Sequence, residues 1–238
     1  MIKPEEEKDR ARTWSDAQWH GEIVPVKRPR RGPGRPTARA LEGEPETREQ
    51  VLTHARLLFM QRGFASVSVG EVAEAVGVTK PTLYYHFGDK EGLYTAVLCD
   101  VMHEVGGYIR QVTESPLSLR QRLYEVTLGY FLYANATMEP MLRDTNELIG
   151  AERAAQVWDA YRNHVLAPLH GLMEEGMARH ELRQGDADIL VRAFLALLDG
   201  FTDPGGHTAR SHDEHQHMAE TLIALFLHGA AVPGALSE

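Results

Sequence analysis

The chain has 238 residues, of which 43% are hydrophobic and 25% charged, a composition that excludes a fibrous or wholly disordered protein. Its single cysteine, Cys99, excludes an intrachain disulfide framework and a zinc site built on paired thiolates, so we expect a reducing compartment. The first residues lack the apolar core of a signal peptide, and no apolar run approaches the roughly 20 residues that cross a bilayer. These features predict a soluble cytoplasmic protein.

The net charge of -9 is unevenly distributed along the chain. Residues 1–40 carry +4, residues 41–100 carry -4 and residues 101–238 carry -9. The basic side chains from Lys27 to Arg39 alternate with proline and glycine and have no acid between them. Such a stretch buries no core, so it predicts a flexible cationic arm suited to a polyanion. Taken alone, the charge run is more typical of a solubilising tail, but the helices that follow it favour the arm that binds a polyanion.

Two helices are predicted directly after this arm. Apolar residues recur with a period near 3.6, which predicts a helix over 46–62 that ends at Gly63. Ser68 and Glu71 then have the spacing of a capping box, which predicts a short second helix over 69–76.

A third helix is predicted over 80–87. Thr79 can cap its start, and Pro81 falls in the first turn, where its missing N–H is harmless. Asp89 is expected to cap a fourth helix. Two short helices joined at a glycine turn, the second with a polar and aromatic outer face, form a helix-turn-helix. We therefore expect this part of the chain to bind DNA.

The outer surface of the third predicted helix carries groups suited to a DNA groove, while Leu83 and Phe87 are expected to pack inward. A lysine and a threonine near the helix N-terminus can reach base edges or nearby phosphates. The tyrosine hydroxyls and the imidazole can bond phosphate oxygens, and a lysine in the next first turn lies beside N–H groups that favour phosphate. The candidates are Lys80, Thr82, Tyr84, Tyr85, His86 and Lys90.

The segment from Thr47 to Leu98 closely resembles the DNA-binding domain of the tetracycline repressor (TetR) family, above all in the run G-V-T-K-P-T-L-Y-Y-H-F-G-D-K-E-G-L. The resemblance implies an all-helical homodimer with a DNA-binding head and a ligand-binding, dimerising body. Some relatives carry an arginine on the second helix where this chain has Gly70. The resemblance implies base contacts from Lys80, Pro81 and Thr82, and phosphate contacts from Tyr84, Tyr85, His86 and Lys90.

We therefore predict an all-α fold in three parts. Residues 1–44 form a disordered or extended basic arm, residues 45–92 a TetR-type helix-turn-helix DNA-binding domain, and residues 93–238 a helical ligand-binding and dimerisation domain. The capping residues Ser68 and Thr79 are included among the predicted DNA contacts.

Arg31 and Arg35 are the predicted DNA contacts of the arm. Gly34-Arg35-Pro36 resembles the core of an AT-hook, in which an extended arginine lies in an A·T-rich minor groove, although Pro33 stands where a full hook has arginine. Narrow minor grooves attract arginine through their enhanced negative potential. Minor-groove insertion and diffuse attraction to phosphates both remain open.

The body reads as successive helices, about 117–136, 139–149, 151–179, 186–202 and 211–229. Apolar stripes on the last two predict a four-helix interface between two copies of the chain, although the same stripes are typical of an ordinary core. The predicted interface residues are Leu190, Phe194, Leu197, Phe201, Leu222, Leu225 and Phe226.

A sensor pocket is expected inside the helical body, lined by apolar residues with a few polar groups. Aromatic residues at helical spacing are more often core than ligand contacts, so each candidate is weak by itself. The apolar and aromatic character of these candidate residues favours an apolar or aromatic effector over a highly charged one. The candidates are Tyr124, Leu128, Phe131, Tyr133, Trp158, Tyr161, His164 and Met173.

Metal and enzyme chemistry are not expected. The histidines at 207, 212, 215 and 217 are donors suited to zinc, copper or nickel, but their segment reads as a solvated loop running into the last helix. Cys99 is typical of a small buried hydrophobe rather than a redox switch. Nucleophile elbow, phosphate loop, paired-carboxylate and H-E-x-x-H motifs are absent from the sequence. We predict no metal and no cofactor.

The sequence thus favours a ligand-responsive transcriptional regulator, a homodimeric repressor that an effector releases from a palindromic operator by moving the fourth helix. Its expected partners are double-stranded DNA, a second copy of the chain and a small effector, with no membrane. The alternative hypothesis is an architectural nucleoid protein that binds DNA with weak selectivity, which a footprint would distinguish.

Overall fold

The structure, a computed structural model, describes residues 45–131, 145–201 and 211–230. The secondary-structure elements in these ranges are all helices, which confirms the predicted all-α fold. The α-helices are α1 (Pro45–Ser66), α2 (Val69–Val76), α3 (Lys80–Phe87), α4 (Lys90–Thr113), α5 (Leu119–Gly129), α6 (Thr145–Ile149), α7 (Ala151–Tyr161), α8 (Ala167–Ala178), α9 (Ala187–Gly200) and α10 (His212–Ala230), and a π-helical segment, Arg162–Leu166, joins α7 to α8.

Several predicted bounds are confirmed and others are corrected. The bounds of α2 and α3 are those predicted, because their capping residues act locally. The first helix is interrupted at Gly63, as predicted: the backbone there is non-helical with a φ of 74°, and a further helical turn after this kink extends α1 to Ser66. The helix predicted over 151–179 is interrupted by the π-helical segment, a feature that apolar periodicity does not reveal.

The fifth helix begins later than predicted, at Leu119, because Ser118 caps it through a capping box with Gln121. The rest of the helix predicted over 117–136 lies partly outside the described residues, as does the start of the helix predicted over 139–149. The last two helices begin and end within two residues of the predicted bounds.

Two hydrophobic clusters form the core of the described chain. One lies in the DNA-binding head and joins α1, α2, α3 and the first half of α4, but it also includes Ile149, Ala154 and Val157 from the body. The other lies in the body and joins the second half of α4 to α5, α8, α9 and α10. The boundary predicted after residue 92 therefore falls inside α4, and packing continues across it.

Helix α4 is the element that connects head and body. It has 24 residues and is therefore about 36 Å long at 1.5 Å per residue. Near its start it packs against α1, α3 and α7, and further along it packs against α5 and α8. Helix α4 therefore contacts helices of both the head and the body.

A partly buried ion pair fixes the far end of α4 in the body. Arg122 is 3% exposed, and its Nη1 and Nη2 donate to the two carboxylate oxygens of Glu175 at 2.8 and 3.0 Å. Nη1 also donates to the Thr113 carbonyl oxygen at 2.7 Å. Hydrogen bonds from Arg122 lower the pKa of Glu175. The pair ties α5 and α8 to the end of α4.

Candidate nucleic-acid interface

The start of α2 is fixed by a capping box. Ser68 Oγ accepts a hydrogen bond of 3.2 Å from the Glu71 N–H, and Glu71 Oε2 accepts one of 2.8 Å from the Ser68 N–H. Arg62 Nη1 donates to the other carboxylate oxygen of Glu71 at 2.7 Å. The Ser68 N–H first, and then Arg62, lower the pKa of Glu71 to about 2. Ser68, a predicted DNA contact, is thus exposed and serves as the cap of α2.

A glycine turn and a threonine cap set the direction of α3. Gly77 has a φ of 81°, a left-handed conformation that favours glycine and ends α2. Thr79 Oγ1 accepts a hydrogen bond from the Thr82 N–H at 3.3 Å, and the two hydroxyl oxygens are 2.6 Å apart. Pro81 lies in the first turn. Leu83 is 1% exposed and anchors α3 in the head cluster, so the opposite face of α3 looks outward.

The outward face of α3 is polar and aromatic. Tyr84 is 48% exposed and Tyr85 is 68% exposed. The His86 ring lies edge-on to the Tyr85 ring, with centroids 5.1 Å apart. Within the described ranges neither tyrosine hydroxyl bonds another residue, so both are available to phosphate oxygens. The structure brings the predicted residues of α3 together on this surface, with Thr82 half-buried and the others exposed.

Lys80 extends from the first turn of α3 back over the first turn of α2. A Cβ atom at Gly70 would lie 2.2 Å from Lys80 Cε and 2.6 Å from Lys80 Nζ, so the lysine occupies the space where a side chain would begin. Lys80 is exposed and makes no hydrogen bond or ion pair with any residue that the structure describes. Its ammonium is therefore available at the surface of both helices.

Lys90, a predicted phosphate contact, also has two contacts within the head. Its Nζ donates to the Ala65 carbonyl oxygen at 3.2 Å and lies 4.3 Å from the centroid of the Phe64 ring. These contacts hold α4 to the end of α1. A phosphate contact from Lys90 would share the ammonium with them.

A contact from the body reaches the junction between α3 and α4. Asp89 Oδ1 accepts from the Gly92 N–H at 2.7 Å, and Asp89 Oδ2 accepts from Arg153 Nη2 at 2.7 Å. Burial raises the pKa of Asp89, but the hydrogen bonds from Gly92 and Arg153 outweigh burial and leave the pKa below its ordinary value. Arg153 lies on α7, 64 residues along the chain, and no local pattern in the sequence indicates this contact.

The predicted pocket residues of the described ranges lie in or beside the two hydrophobic clusters. Phe131 and Met173 are buried in the body cluster, and Tyr124, Leu128 and Tyr161 pack against it. Trp158 packs instead against the head cluster, and its ring is edge-on to Tyr161. The His164 ring lies 3.9 Å from that of His103 on α4, and burial first, then His103 and Arg110, lower the pKa of His164.

A cleft of about 400 Å³ lies between α4, the π-helical segment and α8. None of the pocket candidates lines it. Its walls mix apolar surface with polar side chains that include Arg110, Glu114, Asn163 and Glu175. The apolar pocket expected from the sequence stays a prediction.

The predicted dimer residues separate into three groups by exposure. Phe194, Leu222 and Phe226 are buried inside the chain's own core, with the two phenylalanine rings 5.2 Å apart, and their contact with a second copy stays a prediction. Leu190 and Leu197 are half-buried against the same core. Phe201 is 41% exposed and Leu225 is 55% exposed. Ile189, which we did not predict as a contact, is 64% exposed on α9.

Some predicted residues lie outside the described ranges, namely Arg31, Arg35, Tyr133 and His207. Among the described residues no three histidine, cysteine or acidic side chains are grouped so as to hold a metal ion. None of the described helices has the length and apolar character needed to cross a membrane. Cys99 is half-buried, and burial followed by the charge of Asp100 raises the pKa of its thiol.

A helix-turn-helix that presents exposed tyrosines, joined through one long helix to a helical body, defines a DNA-binding protein with a second domain. The sequence profile of the family described as "Bacterial regulatory proteins, tetR family" matches residues 51–97. The HTH-type transcriptional regulator TtgR of Pseudomonas putida is 30% identical over 175 residues, which are 68% of this chain and 81% of TtgR. The chain therefore belongs to the TetR family of transcriptional regulators.

Two further comparisons concern another regulator and a solved structure. The HTH-type transcriptional activator FasR of Mycolicibacterium smegmatis is 35% identical over 106 residues, 43% of this chain and 48% of FasR. The crystal structure of a TetR/AcrR-family transcriptional regulator from Thermobifida fusca superposes with a TM-score of 0.58 at 23% identity, covering 77% of this chain and 98% of that one. Since such relatives are transcriptional regulators, the prediction that the chain is not an enzyme is confirmed.

Proposed function

We propose that the chain is a homodimeric repressor that binds a palindromic operator and is released by a small apolar or aromatic effector. The observation that carries this proposal is the outward face of α3, where Tyr84 and Tyr85 are exposed while Leu83 anchors the helix from behind. Large aromatic side chains exposed on a short, rigidly capped helix are explained by a partner that covers them. A recognition helix in a major groove is that arrangement.

The DNA contacts are assigned by chemistry and position. Lys80, Pro81 and Thr82, at the start of α3, are assigned to base edges. Residues that offer hydroxyl, imidazole or ammonium donors further along are assigned to phosphates, together with the capping residues and the arm. These assignments are Tyr84, Tyr85, His86, Lys90, Ser68, Thr79, Arg31 and Arg35.

Dimerisation is assigned to the exposed apolar side chains of α9 and α10. Ile189, Phe201 and Leu225 are large and exposed in the single chain. A second copy that brings the same two helices would bury them across a two-fold axis and close a four-helix interface. This arrangement also supplies two recognition helices for two operator half-sites.

The proposed division of labour follows the three predicted parts: an arm over 1–44, a DNA-binding domain over 45–92 and a sensing and dimerising domain over 93–238. The continuous packing along α4 supports coupling between the last two. An effector that binds one arrangement of the body more tightly than the other would shift α4 and thereby the spacing of the two recognition helices. Partly buried aromatic side chains in the body, Tyr124 and Tyr161, support an apolar or aromatic effector.

Selection of bound sequences from random duplexes, followed by a footprint, tests this function. We expect a discrete palindrome whose half-sites are about 10 base pairs apart, or a multiple of that spacing. A compound screen against the best duplex should then yield apolar or aromatic molecules that release it. Uniform coverage of DNA in the footprint would contradict the proposal and favour an architectural protein. Because FasR is an activator, transcription from a promoter carrying the selected site tests the sign of regulation.

A further inference from the structure

We propose that Gly70 determines sequence specificity by allowing Lys80 to lie across the first turn of α2, which sets the DNA group that the Lys80 ammonium reaches. The inference rests on the proposed contact between Lys80 and a base. It adds a residue on α2 that need not touch DNA itself. Gly70 is thus a positioning residue, acting through Lys80.

The close approach of the two residues is the first observation. An ideal Cβ at Gly70 would lie 2.2 Å from Lys80 Cε, 2.6 Å from Nζ and 3.5 Å from Cδ. Separations below 3.0 Å essentially never occur for real Cβ atoms, so any larger residue at this position requires Lys80 to move. The contacted atoms are the far end of a flexible side chain. Displacing them therefore costs the fold little and changes the position of the charge.

The backbone does not explain the glycine. Gly70 lies inside α2, and it is not among the glycines with positive φ. Alanine would be accepted there and would favour the helix, since glycine loses more backbone freedom on folding. The carboxylate of the neighbouring Glu71 accepts hydrogen bonds from the Ser68 N–H and from Arg62, and not from Lys80. The position of Lys80 therefore depends on the space above Gly70 rather than on an ion pair.

This geometry also accounts for the absence of a long basic residue on α2. The ammonium of Lys80 already lies over the first turn of α2, so α3 supplies the cation that α2 lacks. A lysine here is a compact point charge, whereas an arginine would present a planar fork with two parallel donors. Both can bond guanine O6 and N7, so the placement of the charge decides which base pair is read.

The test compares Gly70→Ala with Gly107→Ala in the full-length protein. Gly107 lies in α4 without a positive φ, and a Cβ there meets nothing within 4 Å, so it makes the same change without a contact. Both variants should raise Tm by up to about 2 to 4 °C through helix propensity. Only Gly70→Ala should alter the base preference at one position of each selected half-site. It should also weaken binding to the parent's best operator about fivefold or more.

A cycle with Lys80→Ala separates the inference from the proposed function. If Gly70 acts through Lys80, Gly70→Ala should change affinity by less than about twofold in the Lys80→Ala background. Three results would overturn the role of Gly70 while Lys80→Ala still relaxes specificity. They are an equal effect of Gly70→Ala on affinity in both backgrounds, an unchanged base preference, and a fall in the Tm of Gly70→Ala. If Lys80→Ala binds like the parent, the contact on which the inference rests is wrong.

Discussion

Arg153 donates a 2.7 Å hydrogen bond to Asp89, the residue that caps α4 immediately after the recognition helix α3. Arg153 belongs to α7, so a residue of the body holds the joint at which α3 ends and α4 begins. Both side chains remain partly exposed, with 34% and 47% of their surface accessible. An exposed pair adds little to stability, which gives this contact more importance for geometry than for folding.

Replacing Arg153 with glutamine is expected to weaken operator binding with little loss of stability. The start of α4 would be less firmly held, so the two recognition helices would be less preorganised for their half-sites. We expect operator affinity to fall about threefold to tenfold, and Tm to fall by less than about 4 °C, because such pairs contribute about 0.2–1 kcal/mol. Fluorescence anisotropy and thermal unfolding measure the two effects.

Arg162→Gln is the matched control for this change. Arg162 follows α7 directly and pairs with Asp159 on the exposed surface of the body. Its removal eliminates a similar ion pair that does not contact the α3–α4 junction. Operator affinity should remain that of the parent. Equal losses in the two variants would show that the Asp89 contact has no special role.

Glu71 predicts a dependence of stability on pH. Its pKa is about 2 in the folded chain, against 4.5 for an ordinary glutamate, chiefly because of the Ser68 N–H and Arg62. A lowered folded-state pKa means that the ionised form stabilises the fold above about pH 4.5 and that this contribution is lost as the pH falls towards 2. Glu71→Gln keeps a capping oxygen but removes the charge. The variant should be less stable than the parent at pH 7, and the difference should shrink from pH 6 to pH 3.

Urea midpoints of the two proteins across this pH range measure the effect. Glu74→Gln is the control, since Glu74 is an exposed glutamate of the same helix and makes no contact with Ser68 or Arg62. The difference in urea midpoint between Glu74→Gln and the parent should stay constant with pH. A constant difference for Glu71→Gln as well would show that the ionised capping box does not stabilise α2.

The elements of the head could be predicted because their signals are local. Ser68 with Glu71, Thr79 with Pro81, and Asp89 each mark a helix start within one turn, and the structure has helices at those positions. The contacts that organise the interface are not local. Lys90 lies on Phe64 and Ala65, and Lys80 lies over Gly70, and such pairs depend on tertiary geometry.

The last two helices show what apolar periodicity in the sequence can and cannot predict. The sequence pattern indicates which residues of α9 and α10 are apolar. The apolar stripe on these helices is wide, however, so one side of it packs within the chain and the other side stays exposed. Phe194 and Leu222 belong to the first side, whereas Ile189 and Leu225 belong to the second. The crossing of the two helices decides between the sides, and a single sequence does not contain that angle.

Leu225→Glu should convert a dimer into a monomer. Leu225 is 55% exposed on α10, and in the proposed interface a glutamate at this position would bury an unpaired charge against apolar side chains. Sedimentation at micromolar concentration measures the change. Met60→Glu is the control, since Met60 is also an exposed large apolar residue but lies on α1. A dimeric Leu225→Glu variant, or a parent that is monomeric, would contradict the assigned interface.

Tyr84→Phe should weaken binding to all DNA sequences alike. The variant keeps the ring and loses one hydroxyl in each subunit, so the dimer loses two phosphate hydrogen bonds worth about 0.5–1.5 kcal/mol each, or about fivefold to a hundredfold in affinity. Lys80→Ala should also relax the preference at particular positions. Tyr108→Phe is the control, because its hydroxyl donates to the Glu125 carbonyl oxygen in the body, at 2.9 Å. Affinity unchanged by Tyr84→Phe would contradict the assigned phosphate contact.

Removing residues 1–40 should weaken DNA binding and flatten its salt dependence. This segment carries +4, whereas residues 41–100 carry -4, so the head alone is poorly suited to attract DNA. Each phosphate that is neutralised contributes about 0.9 to the slope of log affinity against log salt concentration, so we expect the slope to fall by about two units or more per dimer. Titrations of the operator at several salt concentrations measure it, and an unchanged slope would remove the arm from the mechanism.

Paired substitutions in the full-length chain distinguish the two ways in which the arm can act. Changing Arg31 and Arg35 to alanine removes two charges from the proline-rich basic run, and changing Lys3 and Lys8 removes two charges from the mixed-charge start. Diffuse attraction to phosphates should make the two double variants lose similar amounts of affinity. Minor-groove insertion should make the arginine variant weaker, and only on operators flanked by A·T pairs, because narrow grooves select arginine there.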